Sequence, residues 1–209
     1  MRMRKKPNLA ARIEKCAHLL IPDPAALRGR WLEEFGRSEL HVELGCGKGR
    51  FTVEMAKARP DIFLTALEKS ANAMIIALER AAAEGLQNVG FIHSLADVIT
   101  DYFEPGEVSR IYINFCDPWP SNSHAKRRLT GRRFLELYKL VLRPGGELHF
   151  KTDNLPLFDF SLREFELGGF SLAEITRDLH KDGPVGVMTD YESKFFSQGI
   201  PIYSCKCKI

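Results

Sequence analysis

The residues best suited to chemistry lie in a glycine-rich stretch of this 209-residue chain, from Glu43 to Gly49 (ELGCGKG). An apolar strand pattern precedes the stretch and a helical pattern follows it, which predicts a turn between strand and helix. Glycine lets the backbone bend tightly and approach a ligand, because it has no Cβ. N–H groups at the start of the next helix would face that ligand. The pattern is typical of a nucleotide-like site, although plain connections also use it.

Two acidic residues accompany the glycine turn. Glu68 ends the second predicted strand, where a carboxylate can bind the ribose hydroxyls of a nucleoside or simply lie exposed. Glu43 lies in an otherwise apolar strand, where an unpaired carboxylate is unfavourable. A cationic ligand would supply its partner, whereas the phosphates of NAD would be repelled. The spacing also departs from the G-x-G-x-x-G of dinucleotide sites, so S-adenosylmethionine is favoured over NAD.

A second chemical stretch, Asn114 to Pro120 (NFCDPWP), ends the fourth predicted strand. Two prolines around a tryptophan make a stiff loop, which would hold Asp117 and an aromatic ring at the crevice. A rigid turn with a packed tryptophan is the simpler interpretation. The basic run from Lys126 to Arg128 follows, and its position beside the loop favours phosphate binding over a merely solvated surface.

These stretches together resemble the signature of the bacterial tRNA (guanine-N7)-methyltransferases. The resemblance is carried by Asp117 to Pro120, His124, Lys126 to Leu129, Glu43 to Gly49, Lys151 to Asp153, Thr189 to Glu192, Phe195 and Gly199 to Tyr203. It extends from about residue 40 to residue 209. The Asp117 and Thr189 blocks are specific to that family, whereas many methyltransferases share the glycine block.

The resemblance implies a Rossmann-like class I methyltransferase fold. It further implies that S-adenosylmethionine is the cofactor, and that the product is N7-methylguanosine in the variable loop of tRNA. Asp117 is then the catalytic residue. The implied donor-binding residues are Glu43, Gly45, Gly47, Glu68, Leu95 and Asp117. The implied substrate-binding residues are Ser121, Asp153, Thr189, Asp190, Tyr191 and Glu192, with Lys126, Arg127 and Arg128 on the tRNA backbone.

Two positions depart from the family pattern. Ser121 stands where the family usually has lysine, so a positive charge on the substrate side is missing and tRNA affinity or positioning is affected. Leu95 stands where the family often has Asp or Asn to bind the adenine. The adenine would then be bound through the backbone near Leu95 and Ala96, or by the side chain of Asp97.

The expected mechanism needs no general base. Guanine N7 carries a lone pair and no proton, so it can attack the donor methyl directly once N7, carbon and sulfur are aligned. Asp117 would accept hydrogen bonds from the guanine or the donor. Asp153 and Glu192 would accept them from guanine N1–H and the amino group, while Thr189 supports the loop or a phosphate. Structural or surface roles are expected for His41, His93, His149 and His180.

Hydrophobic periodicity predicts the elements that position these residues. Strands are predicted at about 40–44, 62–68, 89–92, 111–115, 147–152, 170–176 and 201–208. Helices are predicted at about 51–59, 71–84, 97–103, 134–142 and 155–167, with a turn at 143–146 and a short helix between the last two strands. The alternation indicates an α/β fold, with a mostly parallel seven-stranded sheet, helices on both faces and a C-terminal antiparallel strand. Residues 1–38 are predicted to be an N-terminal extension and 39–209 the donor-binding domain.

Composition sets broader limits. A hydrophobic content of 44% and a net charge of +3 suit one α/β domain. No apolar run approaches the roughly 20 residues that span a membrane, and the polar start is unlike a signal peptide. A cytoplasmic protein with no membrane partner is therefore expected. Five cysteines without metal-ligand spacing predict free thiols and no metal. Basic clusters at residues 2–6 and 126–133 fit a polyanion footprint.

Two other functions stay open at this point. One is a methyltransferase for another nucleobase atom, although amino-group enzymes place Asn or Asp before Pro-Pro-aromatic and here Trp119 separates the prolines. The other is a module that binds tRNA or donor with little turnover, given Ser121 and Leu95. The sequence allows either a monomer or a homodimer and does not identify which tRNAs are substrates.

Overall fold

A seven-stranded sheet organises the protein in this computed structural model, which describes residues 6–209. Except for Lys6, the basic cluster predicted at residues 2–6 lies outside the described residues. The strands are β1 (Glu39–Leu44), β2 (Ile62–Leu67), β3 (Val89–Ile92), β4 (Val108–Asn114), β5 (Leu142–Thr152), β6 (Ser171–Thr176) and β7 (Tyr203–Lys208). Their order is β3-β2-β1-β4-β5-β7-β6.

The direction of the strands confirms the predicted sheet. Strand β7 runs antiparallel to both of its neighbours, β5 and β6, and the pairs among β1 to β5 are parallel. The chain moves outward from β1 through β2 to β3 and then returns to β4 on the other side of β1. In open α/β sheets such a reversal opens a crevice at the carboxyl ends of the strands.

Helices cover both faces of the sheet, as predicted. They are α1 (Leu9–Lys15), α2 (Trp31–Phe35), α3 (Arg50–Ala58), α4 (Ala71–Ala83), α5 (Ile99–Tyr102), α6 (Arg132–Val141), α7 (Leu155–Leu167) and α8 (Asp190–Ser197). Short 3-10 helices lie at Ala17–Leu19, Pro24–Leu27, Ala96–Val98 and Asn122–Arg127. In the described residues no helix combines the length and apolar character that crossing a bilayer requires.

Successive side chains of β2 pack into two different hydrophobic clusters, one on each face of the sheet. Phe63 and Leu67 pack into a cluster with residues of α2, α5, α6 and α7, whereas Ala66 packs with α1, α3 and α4. Successive strand side chains point to opposite faces, so a continuously apolar strand is what a sheet covered on both sides requires.

One predicted boundary is wrong. Residues 143–146, expected to be a turn, belong to an irregular start of β5. Val108 pairs with Leu142 and Arg110 pairs with Glu147, so the register shifts between the two pairs. Pro144 has no N–H to donate to a ladder, and Gly145 adopts a left-handed φ of 72°. The extra residues are therefore accommodated as a bulge instead of ending the strand.

The segment before the first strand packs on the same sheet. Trp31 is fully buried in the main core, and its Nε1 donates to the carbonyl of Tyr102 at 2.9 Å. The N–H of Ile21 donates to the Phe91 carbonyl at 2.9 Å. The domain boundary at residue 38 stays a prediction, but the described part of the preceding segment is integrated into the core.

Gly49 offers a test of helix packing next to the glycine turn. A Cβ at this position would lie 2.4 Å from the Ala77 Cβ of α4, and its φ is +76°. We expect Gly49→Ala to reduce the free energy of unfolding by about 2–4 kcal/mol, from backbone strain and overpacking together. Urea denaturation measures it. Gly85→Ala is the control, because its φ is +63° but its Cβ meets nothing within 4 Å, so about 1–2 kcal/mol is expected. Equal losses would contradict the packing argument.

Candidate active site

A cavity of about 490 Å³ lies at the carboxyl ends of the central strands. Four of the predicted donor-binding residues line it, namely Gly45, Glu68, Leu95 and Asp117. Apolar side chains and charged groups share its lining, as ligand sites of this size require. A Cβ on Gly45 would meet no atom within 4 Å, so the absent side chain leaves space for a ligand against the backbone.

The glycine turn is fixed to the end of the neighbouring strand. The N–H groups of Gly45 and Cys46 both donate to the Leu67 carbonyl, at 2.8 and 3.2 Å. Gly45, Gly47 and Gly49 all have positive φ, at 79°, 59° and 76°, a conformation that side chains with a Cβ rarely adopt. The turn therefore needs its glycines for backbone conformation, and Gly45 also for space.

Glu68 connects the second strand to the glycine turn. Its Oε2 accepts a hydrogen bond from the Gly47 N–H at 2.9 Å, and its Oε1 accepts one from the Ser70 N–H at 2.7 Å. The side chain is almost buried but lines the cavity. Each carboxylate oxygen has a second lone pair, so Glu68 is both braced by the backbone and able to accept from ligand hydroxyls.

Glu43 is fully buried and has protein partners, which differs from the cationic ligand expected from the sequence. Thr52 Oγ1 donates to its Oε2 at 2.5 Å and Asn114 Nδ2 donates to its Oε1 at 3.1 Å. Burial raises the pKa of Glu43 to about 7, opposed by these two hydrogen bonds. Neither Glu43 nor Gly47 is part of the cavity lining. We therefore assign Glu43 to joining β1, α3 and β4 beneath the site.

The loop that carries Asp117 is held in an unusual backbone conformation. Phe115 and Trp119 have φ of 54° and 42°, values that cluster at functional sites when non-glycine residues adopt them. The loop presents the Asp117 side chain to solvent, where one oxygen lies 3.2 Å from Lys69 Nζ. Because both partners are largely exposed, this ion pair is weak and can be exchanged for a substrate contact.

The basic run divides into two kinds of residue. Lys126 and Arg127 are exposed and line the cavity, as expected for a phosphate contact. The contact of Arg128 with the tRNA backbone stays a prediction, and only 9% of this residue is exposed. Its guanidinium donates to the carbonyls of Pro118 and Trp119. Ser121 is exposed, and its Oγ lies 2.7 Å from Ser123 Oγ.

The predicted contact of Glu192 with guanine stays a prediction, and in the structure this carboxylate has protein partners. Its Oε1 accepts from Lys151 Nζ at 2.8 Å and lies 3.0 Å from His180 Nε2. Thr189 and Glu192 form a capping box at the start of α8, in which each side chain bonds the other's backbone N–H at 2.9 and 3.1 Å. Both carboxylate oxygens of this fully buried group are engaged within the protein, so Glu192 positions α8.

The remaining predicted substrate residues lie around α8. Asp190 forms an ion pair with Arg80 of α4 at 2.7 Å, which anchors the helix. Tyr191 is exposed and its ring stacks toward that of Phe115, with centroids 6.5 Å apart. Asp153 is exposed just after β5. Tyr191 and Asp153 are therefore available to a substrate, while Asp190 is committed to the fold.

Several residues of the site were not predicted from sequence. Thr52 donates a hydrogen bond to Glu43, nine positions earlier in the chain. The one feature of the sequence that could have predicted this contact is the hydroxyl of Thr52 next to apolar residues in the first turn of α3. Lys69 and Arg80 pair with predicted acids across sequence separations of 48 and 110 residues, which no local pattern reveals. His41 is buried and His149 is partly buried, and desolvation lowers the pKa of each to about 4, so both are neutral at pH 7.

Glu43 makes stability depend on pH. Its pKa is raised from 4.5 to about 7 in the folded protein, so between these values the folded state binds more protons than the unfolded state. The free energy of unfolding should therefore fall as pH rises through this range. The free energy of unfolding of Glu43→Gln, measured by urea denaturation, should increase relative to that of wild type by up to about 3 kcal/mol between pH 4.5 and pH 8. Exposed Glu33→Gln is the control, and parallel profiles for wild type and Glu43→Gln would contradict the shift.

Comparisons with known proteins agree with this site. A family model described as "Putative methyltransferase" matches residues 37–205. The tRNA (guanine-N(7)-)-methyltransferase of Geobacillus kaustophilus (strain HTA426) is 46% identical over 208 residues, which cover 99% of this chain and 96% of that relative.

Solved structures resemble the fold at lower identity. The 16S rRNA methyltransferase KamB superposes with a TM-score of 0.64 at 16% identity, covering 85% of this chain and 92% of that one. A SAM-dependent methyltransferase from Aquifex aeolicus gives a TM-score of 0.58 at 18% identity, covering 94% and 97%. These confirm the Rossmann-like methyltransferase fold. By its identity to relatives over nearly the whole chain, the protein belongs to the tRNA (guanine-N7)-methyltransferase family.

Proposed function

We propose that this protein transfers a methyl group from S-adenosylmethionine to N7 of a guanosine in the variable loop of tRNA. The observation that carries the proposal is a single cavity that brings together Glu68, the glycine turn and the strained Asp117 loop. Membership of the tRNA (guanine-N7)-methyltransferase family supports it. We place this activity in the cytoplasm, where tRNA is available.

The donor would bind across the ends of β1, β2 and β3. Glu68 has acceptor capacity for ribose hydroxyls, and Gly45 leaves room for the chain of the donor beside the backbone. Asp97 lies 2.8 Å from Arg133 in an ion pair, so of the two sequence-based alternatives we favour adenine binding through the backbone near Leu95. When bound, S-adenosylmethionine supplies an electrophilic methyl group on a sulfonium.

The acceptor would enter from the exposed side of the cavity. Guanine N7 has no proton to lose, so alignment replaces acid–base chemistry as the source of rate enhancement. The exposed Asp117 carboxylate can accept a hydrogen bond from the guanine or from the donor amine and fix their relative position. Tyr191 and Asp153 lie on the side of the site where the base would be held. Lys126 and Arg127 supply positive charge for tRNA phosphates.

Asp117→Ala tests the catalytic assignment. We expect methyl transfer to fall by at least about 100-fold, because misplacement of reacting groups has effects of this size. Because the side chain is exposed, the fold should be unchanged. The measurement is incorporation of tritiated methyl into unmodified tRNA, followed by borohydride and aniline cleavage to locate the base. Asp101→Ala, an exposed acid outside the cavity lining, is the control.

Three results would contradict the proposal. Near wild-type turnover by Asp117→Ala would remove this residue from the mechanism. Methyl incorporation without cleavage at guanosine would indicate another nucleobase atom. Donor and tRNA binding without incorporation by the wild-type protein would indicate a binding module.

Glu192→Gln tests whether α8 is positioned from inside the protein. The substitution leaves Lys151, with 15% of its side chain exposed, without its charged partner, so a loss of roughly 3 kcal/mol in stability is expected. Hydrogen exchange should become faster at residues 190–197, and the KM for tRNA should rise. Glu166→Gln, an exposed acid on α7, is the control. Unchanged exchange in α8 would show that the buried contacts do not position the helix.

A further inference from the structure

We propose that Arg128 is a positioning residue, which holds residues 117–120, the Asp-Pro-Trp-Pro loop, in the conformation that methyl transfer requires. Its kinetic consequences rest on the proposed function. The basic run 126–128 would then have two roles. Its first two residues would contact phosphates, and its third, Arg128, would act as a brace that holds the loop from inside the protein.

The geometry of the guanidinium carries the proposal. Its Nε lies 3.1 Å from the Pro118 carbonyl and 3.2 Å from the Trp119 carbonyl, and one Nη donates to the same Trp119 oxygen at 2.9 Å. The guanidinium also lies over the Phe160 ring of α7, with Cζ 4.4 Å from the centroid. A planar fork of donors that also stacks on an aromatic ring is a geometry that lysine does not reproduce.

The loop needs an anchor from outside its own backbone. Pro118 and Pro120 have no N–H. Within residues 6–209, none of the N–H groups of residues 116–120 donates to another backbone carbonyl. Trp119 also has a φ of 42°, and such conformations persist only where surrounding structure imposes them. The three hydrogen bonds from Arg128 hold the loop in this conformation, because they bind the carbonyls of Pro118 and Trp119, the two residues after Asp117.

The neighbouring arginine supplies a contrast within the same short segment. Arg127 is exposed and its Cζ lies 4.8 Å from the Trp119 ring centroid. Arg128 is turned inward at the end of the 3-10 segment, where its N–H donates to the Ala125 carbonyl and its own carbonyl accepts from Gly131. The two side chains therefore differ in burial and in partners, although both carry the same charge.

The brace acts on the reaction through Asp117. A displacement of about 1 Å in a catalytic group can lower the rate about 100-fold, whereas the encounter of tRNA with the exposed cations would be unaffected. Loss of Arg128 should therefore appear in kcat. Loss of Arg127 should appear in KM for tRNA and in its salt dependence.

The test compares Arg128→Lys with Arg127→Lys in the full chain, because lysine keeps the charge and removes the fork. We expect Arg128→Lys to lower kcat by about 30- to 100-fold, with KM for tRNA within about threefold of wild type. Arg127→Lys should raise KM for tRNA, whereas Arg163→Lys, at an exposed position on α7 outside the cavity lining, should retain most of its kcat. The salt dependence of tRNA binding is measured for Arg127→Ala and Arg128→Ala. Only Arg127→Ala should reduce the slope of the logarithm of the tRNA association constant against the logarithm of the salt concentration, by about 0.7–0.9. A raised KM and a reduced slope at position 128 with unchanged kcat would overturn the proposal.

A second measurement needs no turnover, so it is independent of the guanine N7 assignment. The protein has two tryptophans, and Trp31 is fully buried, so acrylamide quenching reports mainly on Trp119. Quenching should increase by roughly twofold in Arg128→Lys relative to wild type, since freeing the loop exposes the ring. Unchanged quenching in folded Arg128→Lys would overturn the brace.

Phe160→Leu provides the decisive variant if Arg128→Lys does not fold. This substitution removes the aromatic ring that packs against the Arg128 guanidinium. It changes no residue of the loop, the cavity lining or the basic run. We expect the same direction of change, with lower kcat, greater Trp119 quenching and an unchanged salt slope. Wild-type kcat and quenching in this variant would contradict the proposal.

Discussion

The site depends on the hydrogen bonds that surround one buried carboxylate. Glu43 receives a bond from Thr52 at the start of α3 and another from Asn114 at the end of β4. The end of β1 is thereby tied to the helix after the glycine turn and to the strand before the Asp117 loop. Removing a charge from water is unfavourable, and the raised pKa of Glu43 reflects this. The bonds maintain the crevice where the order of the sheet reverses.

Buried polar groups recur wherever an exposed functional group needs support. Glu192 fixes α8 from inside, and this helix presents Tyr191. Arg128 binds the carbonyls after Asp117, and Glu68 binds N–H groups of the glycine turn and of the residue before α4. In each case a buried or nearly buried charged side chain is hydrogen-bonded to the protein next to the site. Such support fixes the position of functional groups better than exposed side chains alone.

Sequence reasoning identified the fold and the cavity better than the roles within them. Apolar runs and the alternation of elements predicted the sheet, because burial on both faces leaves a strong periodic signal. The glycine turn and the Asp117 loop were found because glycine permits tight backbone bends and proline restricts the backbone, and both leave a pattern in the sequence. Glu192 was assigned to the substrate from the family resemblance, and Arg128 from its place in the basic run beside the Asp117 loop. Whether each side chain points inward depends on Phe160 and His180, which lie far along the chain. The bulge at Gly145 was missed for a similar reason, since only pairing with β4 shows that the strand continues.

The position of β7 has a consequence for the order in which the protein is assembled. Among residues 6–209, strand β6 is bonded to the sheet only through β7, which lies between it and β5. During synthesis, which proceeds from the N-terminus, β6 and α8 are made before the strand that joins β6 to β5. The half of the sheet that holds the donor can form early, whereas the half behind the substrate-facing helix must wait for residues 203–208. The donor side of the crevice is therefore complete in the chain before the strand that anchors the substrate side has been made.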